Sequence, residues 1–288
     1  MTVSHRLMGI VNVTPDSFSD GGRFLDADVA VAQARALVDQ GADIVDIGGE
    51  STRPGAEPVP EAEELRRVLP VVERLATGGL SAQISVDTTK ASVARAALDA
   101  GASLINDVSA FRADPEMAAL VAQSGADCCL MHMLGEPRTM QDDPRYDDVV
   151  EDVRAFLEER LEFAVREGVE RERIMVDPGI GFGKTESHNL ELLRRLSELL
   201  TLGAPIVIGT SRKGFLGRIA ARAGGMADPL DAGDRLAGTI ASNVLAYERG
   251  ASVFRVHDVA PVREALAVTA ATLGGRWTAR STGTTPAS

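Results

Sequence analysis

Short apolar runs that end in an unusual polar residue recur along almost the whole chain, and no other feature restricts its possible folds as much. Met8 to Val13 carries Asn12 near its end, Ile44 to Ile47 runs into Gly-Gly-Glu-Ser-Thr-Arg-Pro-Gly, Ile84 to Val86 stops at Asp87, and Leu104-Ile105 stops at Asn106. The pattern continues through Leu130 to His132, Ile174 to Asp177, Ile206 to Ser211 and Phe254 to His257. A stretch of helical length separates successive runs, so the period reads strand, polar tip, helix. Eight such units predict an α/β fold, a single-domain (β/α)8 TIM barrel over residues 1–273, whose strand tips converge on one mouth.

The punctuation agrees. A helix is expected from Ala27 to Gln40, where Val31, Ala34, Leu37 and Val38 share a face, and Gly41 stops it as Gly101 and Gly168 stop later ones. Runs without polar alternation, such as Asp43 to Ile47, suit parallel strands covered on both sides. Phe215 to Asp228, with Gly224-Gly225, reads as an insertion or short extra helix before a helix body at Pro229 to Arg249. Thr14 to Asp26 reads as a long loop, and the tail 274–288 lacks periodicity and is expected to be disordered.

Composition narrows the function classes. At 288 residues with 44% hydrophobic residues the chain can bury a large core. No apolar run reaches the roughly 18 residues that span a bilayer, and Met-Thr-Val-Ser-His-Arg opens into a strand without a secretory h-region, so no membrane partner and a cytoplasmic location are expected. A net charge of −12 argues against nucleic acid, so any anionic ligand requires a local positive cluster. The adjacent Cys128 and Cys129 point to opposite faces of one strand and read as buried, not as a disulfide or zinc site.

Asp87, Asn106 and Asp177 sit at strand tips, where buried carboxylates are costly unless paired with donors. Converging acceptors with one amide suit a nitrogen-rich heterocycle, because a carboxylate accepts two N–H groups from a guanidine-like edge. Arg255 and His257, two apart on the last strand, read either as a salt-bridged Arg and a core His or as an anion clamp. Asn12 alone reads as a turn cap or as a group that orients a metal-bound or phosphate oxygen. Ser211-Arg212-Lys213 puts two cations at the rim, with Lys213 reaching inward, and Ser51-Thr52-Arg53-Pro54-Gly55 could close over the mouth as a lid. Gly183-Lys184-Thr185 imitates a phosphate loop, but Pro178 stands where that motif needs Gly, so a flexible loop is the better reading. No Ser is tied to a His and an acid, and no His-Glu-x-x-His spacing occurs. The inventory favours positioning and charge stabilisation, with an anionic leaving group.

Taken together, Met8-Gly-Ile-Val-Asn-Val-Thr-Pro-Asp-Ser-Phe-Ser-Asp-Gly-Gly22, Asp46-Ile-Gly-Gly-Glu-Ser-Thr-Arg-Pro-Gly55, Ser85-Val-Asp-Thr88, Ile105-Asn-Asp-Val108, Asp177-Pro-Gly-Ile-Gly-Phe-Gly-Lys184, Ser211-Arg-Lys213 and Arg255-Val-His257 resemble the signatures of the dihydropteroate synthases of folate biosynthesis. The resemblance covers Leu7 to about Leu273. It implies condensation of 6-hydroxymethyl-7,8-dihydropterin diphosphate with p-aminobenzoate to 7,8-dihydropteroate and diphosphate. By the same resemblance Asp87, Asn106, Asp177 and Lys213 line the pterin pocket, with Met131, Phe182 and Gly209 near the ring. Asn12, Arg255 and His257 hold diphosphate, Asn12 also being near Mg2+. Phe18, Thr52, Arg53, Pro54 and Gly214 serve p-aminobenzoate, and Asp20, Lys213 and Arg255 are the catalytic candidates. A homodimer and sulfonamide inhibition are implied as well. Many members carry Ser directly after the Lys where this chain has Gly214. The rival readings are a pterin-dependent methyltransferase, which needs neither the Arg-Pro lid nor the diphosphate clamp, and a non-catalytic pterin-binding paralogue.

Overall fold

The computed structural model describes residues 5–14, 23–53 and 55–274. Eight parallel strands alternate with helices: β1 (Arg6–Asn12), α1 (Arg23–Asp39), β2 (Ile44–Gly48), α2 (Glu61–Thr77), β3 (Gln83–Asp87), α3 (Ala91–Asp99), β4 (Leu104–Asp107), α4 (Met117–Ser124) and β5 (Asp127–Met131). They are followed by α5 (Val149–Arg166), β6 (Ile174–Asp177), α6 (Glu186–Arg194), β7 (Val207–Ile208), α7 (Gly214–Ala223), α8 (Leu236–Glu248), β8 (Val253–Val256) and α9 (Val259–Thr272). The hydrogen-bonded order is β6-β5-β4-β3-β2-β1-β8-β7. A single bridge between Val176 and Ile206 links the two edges and closes the barrel.

The interior is layered because alternate residues of each strand point inward. Met8, Ile44, Leu104, Cys129, Met175, Val207 and Val253, one from every strand but β3, form an apolar layer. Two residues further along the strands the interior turns polar with Asp46, Ser85, Asn106 and Arg255. Cys128 faces outward into the helix-covered core while Cys129 faces inward, and burial pushes both thiols up, away from thiolate chemistry.

The helices form where the sequence directs them. α2 begins after Pro60 with Glu61, Glu63 and Glu64 in its first turn, matching the positive end of the helix dipole, and buries Val68, Val71, Val72 and Leu75. α6 begins at Thr185, whose Oγ1 accepts the His188 N–H at 3.2 Å in a capping box. The residue that imitated the end of a phosphate loop is therefore a helix cap. The short helix expected after strand seven is α7, and the body expected from Pro229 is confined to α8, since a 3-10 turn at Ala232–Asp234 intervenes. The first helix extends back to Arg23, four residues before the expected start at Ala27. Phe18, Asp20, Pro54 and the tail 275–288 lie outside the described residues.

Candidate active site

The strand tips do converge, and one cation organises them. Arg255 on β8 donates through Nε to Asp46 Oδ2 at 2.6 Å and through Nη2 to Asp87 Oδ2 at 2.8 Å. Asp46 is fully buried on β2; its Oδ2 also accepts Asn106 Nδ2 at 3.1 Å, and its Oδ1 accepts Ser85 Oγ at 2.6 Å. Burial alone would lower the Arg255 pKa, but Asp46 and Asp87 raise it well above the usual arginine value. The guanidinium is thus a permanent charge that neutralises two carboxylates and fixes the Asn106 amide through one of them.

Burial pushes the Asp87 carboxyl up to about 7; Arg255 opposes the shift and Asp46 adds to it. Asp177, at the tip of β6, is also raised by burial, against the Gly179 N–H that reaches its Oδ1 at 2.7 Å and the nearby Lys213 and Arg255 charges. Its other oxygen, Oδ2, faces Gly209 after β7, where a Cβ would stand 3.9 Å away. Lys213 holds its ammonium 4.0 Å from the centroid of the Phe182 ring, and burial with the Arg255 charge lowers its pKa to about 8. Met131 packs in the same apolar cluster as Phe182. Acceptors from β3, β4 and β6 and cations from β8 and the turn after β7 therefore share one mouth.

The two rim cations divide their work. Arg212 adopts a left-handed φ of 57° and turns away from the mouth, pairing with Asp258 through Nε at 2.9 Å and Nη2 at 2.6 Å, while its N–H reaches Thr239 Oγ1 at 3.0 Å. That reversal sends Lys213 inward, as its position in the motif predicts. His257 Nδ1 lies 3.0 Å from Ser211 Oγ, and burial with the Arg212 and Arg255 charges lowers its pKa to about 4, so the ring is neutral at pH 7. With Ser211 donating to Nδ1, the proton sits on Nε2 as a donor for an anion. Asn12 ends β1 opposite Gly48. Arg255 is not a free anion clamp, since two of its nitrogens are committed to carboxylates.

The loop after β6 is held, not flexible. Tyr146 Oη donates to Gly183 O at 2.7 Å, Gln141 Nε2 donates to Gly181 O at 2.8 Å, and the Gly181 N–H reaches Asn189 Oδ1 at 2.7 Å. Gly179, at φ 67°, passes so close to His132 that a Cβ would meet its carbonyl oxygen at 1.9 Å, which leaves glycine as the residue that fits. Lys184 points into the protein, donating to His132 Nδ1 at 2.8 Å and Phe182 O at 3.0 Å. Burial first, then the Lys184 charge, lowers His132 to about 2, so it stays a neutral acceptor. This lysine braces the loop that carries Phe182.

Sequence reasoning passed over Asp46, Lys184 and His132 as separate contributors. Asp46 left a readable trace: a carboxylate inside Ile44-Val-Asp-Ile, a run covered on both sides, has to be paired.

The residue pattern of the family described as "Pterin binding enzyme" matches residues 8–257. Over 269 residues the chain is 49% identical to the dihydropteroate synthase of Mycobacterium leprae, covering 93% of each. It is 49% identical over 253 residues to a probable bifunctional folylpolyglutamate synthase/dihydropteroate synthase of Haloferax volcanii, which takes in 88% of this chain but only 29% of that longer protein. The solved structure of Xanthomonas albilineans dihydropteroate synthase with 4-aminobenzoic acid superposes with a TM-score of 0.86 at 47% identity, over 95% of this chain and 94% of that one. Sequence shared over so much of both chains, on the same barrel, makes this chain a member of the pterin-binding enzymes and, among them, of the dihydropteroate synthases.

Proposed function

We propose that the mouth binds 6-hydroxymethyl-7,8-dihydropterin diphosphate and p-aminobenzoate and joins them into 7,8-dihydropteroate, with release of diphosphate. The observation that carries this reading is the single network in which Arg255 bridges Asp46 and Asp87 while Asp46 orients Asn106. Asp87 and Asp177 accept the N–H groups of the pterin edge, Asn106 pairs with a neighbouring donor and acceptor, and Phe182 and Met131 cover the ring. Gly209 keeps the space beside Asp177 Oδ2 open for the ligand.

The bond that breaks joins the pterin methylene carbon to the diphosphate oxygen. The bond that forms joins that carbon to the aniline nitrogen, whose proton is then lost to the departing diphosphate or to water. No protein nucleophile is required. The free edge of Arg255 and His257 Nε2 stabilise the leaving anion, and Lys213 lies between pterin and aniline. Thr52 and Arg53 flank p-aminobenzoate; the family resemblance assigns Pro54 and Phe18 to the same substrate and Asp20 to the cationic pterin. The p-aminobenzoate carboxylate is met at the N-terminus of α7, where Gly214 is the first residue and Lys213 gives no side-chain cap.

Mg2+ takes oxygen ligands and keeps several waters when it travels with phosphates. Among the described residues no group of three His, Cys, Asp or Glu could hold a metal, whereas the Asn12 amide oxygen suits an ion delivered with the diphosphate. When bound, the ion supplies charge neutralisation on the leaving group. No helix among the described residues is long and apolar enough to cross a membrane. A cytoplasmic homodimer completes the reading and rests on the family resemblance.

The test is diphosphate release with Mg2+ and both substrates, each omitted in turn, and the product identified by mass. Dihydropteroate formed in step with diphosphate is expected, and Arg255→Ala should lower kcat/KM by roughly a hundredfold or more. Pterin binding without product would identify a non-catalytic binder, and methyl transfer from methyltetrahydrofolate would identify the methyltransferase.

A further inference from the structure

Behind the mouth, between the second and third strands, lies a charged cluster that touches no proposed substrate position. Glu50 stands at the start of the loop that bears Thr52 and Arg53, Glu64 on the first turn of α2, and Lys90 directly before α3. Lys90 Nζ donates to Glu64 Oε2 at 2.5 Å and also to Glu50. Glu50 Oε1 accepts the Val59 N–H at 3.1 Å, so this carboxylate closes the neck of the loop from residue 50 to residue 59. Lys90 itself emerges from the turn after Asp87: its N–H reaches Thr88 Oγ1 at 3.2 Å, and the Thr88 N–H reaches Asn106 O at 3.1 Å. One ammonium therefore ties the turn beside Asp87 and Asn106 to the neck of the loop after β2.

The energetics make the arrangement directional. Glu64 is fully buried and its Oε1 has no hydrogen-bond partner among the described residues, so without Lys90 its charge would be uncompensated. Lys90 is consequently held by Glu64 whatever the loop does. The pair it makes with Glu50 is partly exposed, at 25% and 23% side-chain accessibility, and adds little global stability. Its effect is geometric. Gly49 contributes to the same fit, because a Cβ there would stand 2.8 Å from Val68 Cγ2 and 3.0 Å from Glu64 Cγ, so the strand tip lies directly on α2. Arg67 Nη1 donates to Gly49 O at 2.8 Å and secures the backbone one residue before Glu50. Burial would lower the Lys90 pKa, but Glu50 and Glu64 reverse the shift and raise it, so the ammonium persists through neutral pH.

We propose that Lys90 is a positioning residue for the second substrate: anchored by Glu64, it fixes Glu50 and through it sets where Thr52 and Arg53 meet p-aminobenzoate. The proposal rests on the assignment of Thr52 and Arg53 to that substrate.

Four variants of the full chain test it by steady-state kinetics and by direct titration of dihydropterin diphosphate. Lys90→Met should raise the KM for p-aminobenzoate roughly tenfold while the dissociation constant for dihydropterin diphosphate stays within about twofold. Lys90→Arg should restore most of the loss, because a guanidinium can span the same two carboxylates. Glu50→Gln keeps an acceptor for Val59 and leaves the buried Lys90–Glu64 pair intact, so it decides the matter if Lys90→Met fails to fold; it should raise the same KM severalfold. A p-aminobenzoate KM unchanged in both Lys90→Met and Glu50→Gln, or a loss shared equally with pterin binding, overturns the proposal. Arg53→Ala separates the two layers of the argument. If it raises that KM while Lys90→Met and Glu50→Gln do not, the positioning role alone falls. If it leaves the KM unchanged, the assignment of Arg53 and the proposal fall together.

Discussion

Burial, more than any neighbouring charge, sets the chemistry of Asp87. A carboxyl pushed up to about 7 is ionised above that pH and protonated below it. Only the ionised form accepts two N–H groups and keeps its charge pairing with Arg255, so pterin affinity should fall as pH drops through about 7. Titration calorimetry on both sides of neutrality checks this, and an affinity flat across the range would remove Asp87 from the pterin edge. Gly214 permits a second single-residue forecast. A Ser Cβ there would come 3.3 Å from Arg218 Nη1, the end of a long side chain that is about half exposed and can move aside. The added hydroxyl could donate to the p-aminobenzoate carboxylate, and one hydrogen bond to a charged group, about 1.5 kcal/mol, corresponds to about tenfold in affinity. Gly214→Ser should therefore lower the p-aminobenzoate KM by about that factor; a higher KM would mean that the carboxylate lies elsewhere. The residues the sequence put forward lie at or just past the ends of apolar runs: Asp87, Asn106 and Asp177 close theirs, Arg255 and His257 share the end of the last, and Lys213 follows Ser211. Asp46 was hidden because its run carries no second polar residue, as the run of Arg255 does in His257. Lys90 was hidden because its partners are 26 and 40 residues away, and no periodicity records such a pairing.

At the scale of elements, the barrel was legible because two periods alternate and glycines separate them, and the observed elements follow that alternation. Boundaries were less so. The start of α1 lay inside an expected loop, because Gly21-Gly22 directly before it extend a Ser-, Asp- and Gly-rich run. The loop after β6 looked mobile because glycine-rich sequence carries no sign of the side chains, Tyr146, Gln141 and Lys184, that pin its carbonyls. The inner apolar layer belongs to this scale too. Leu104 is fully buried beneath Asn106, so Leu104→Ala should cost about 2–5 kcal/mol in urea unfolding. A loss under about 1 kcal/mol would mean that the layer repacks freely, and the polar tier above it would then rest on a softer floor than the structure indicates.

The whole molecule carries a net charge of −12 yet gathers the cations Arg53, Lys213 and Arg255 at or beside one rim, with the neutral His257 among them. Local cations, not the overall field, must receive a diphosphate and a carboxylate. The barrel is also unequal around its circumference. Seven strand junctions are laddered, while β6 meets β7 through the bridge at Val176 and Ile206, where the Val176 N–H donates to Pro205 O at 3.0 Å. Asp177 stands on one side of that junction and Lys213 on the other. A pterin gripped by both would act as a suture across the thinnest line of the wall. Deuterium uptake in peptides containing Val176 and Ile206 should slow when dihydropterin diphosphate is bound, while uptake across the β1–β2 ladder stays the same. Equal slowing at both places would show ordering of the whole barrel, and no slowing at either would show that the ligand leaves the junction free to breathe. On this view the substrate is, for as long as it is bound, a structural member of the enzyme that consumes it.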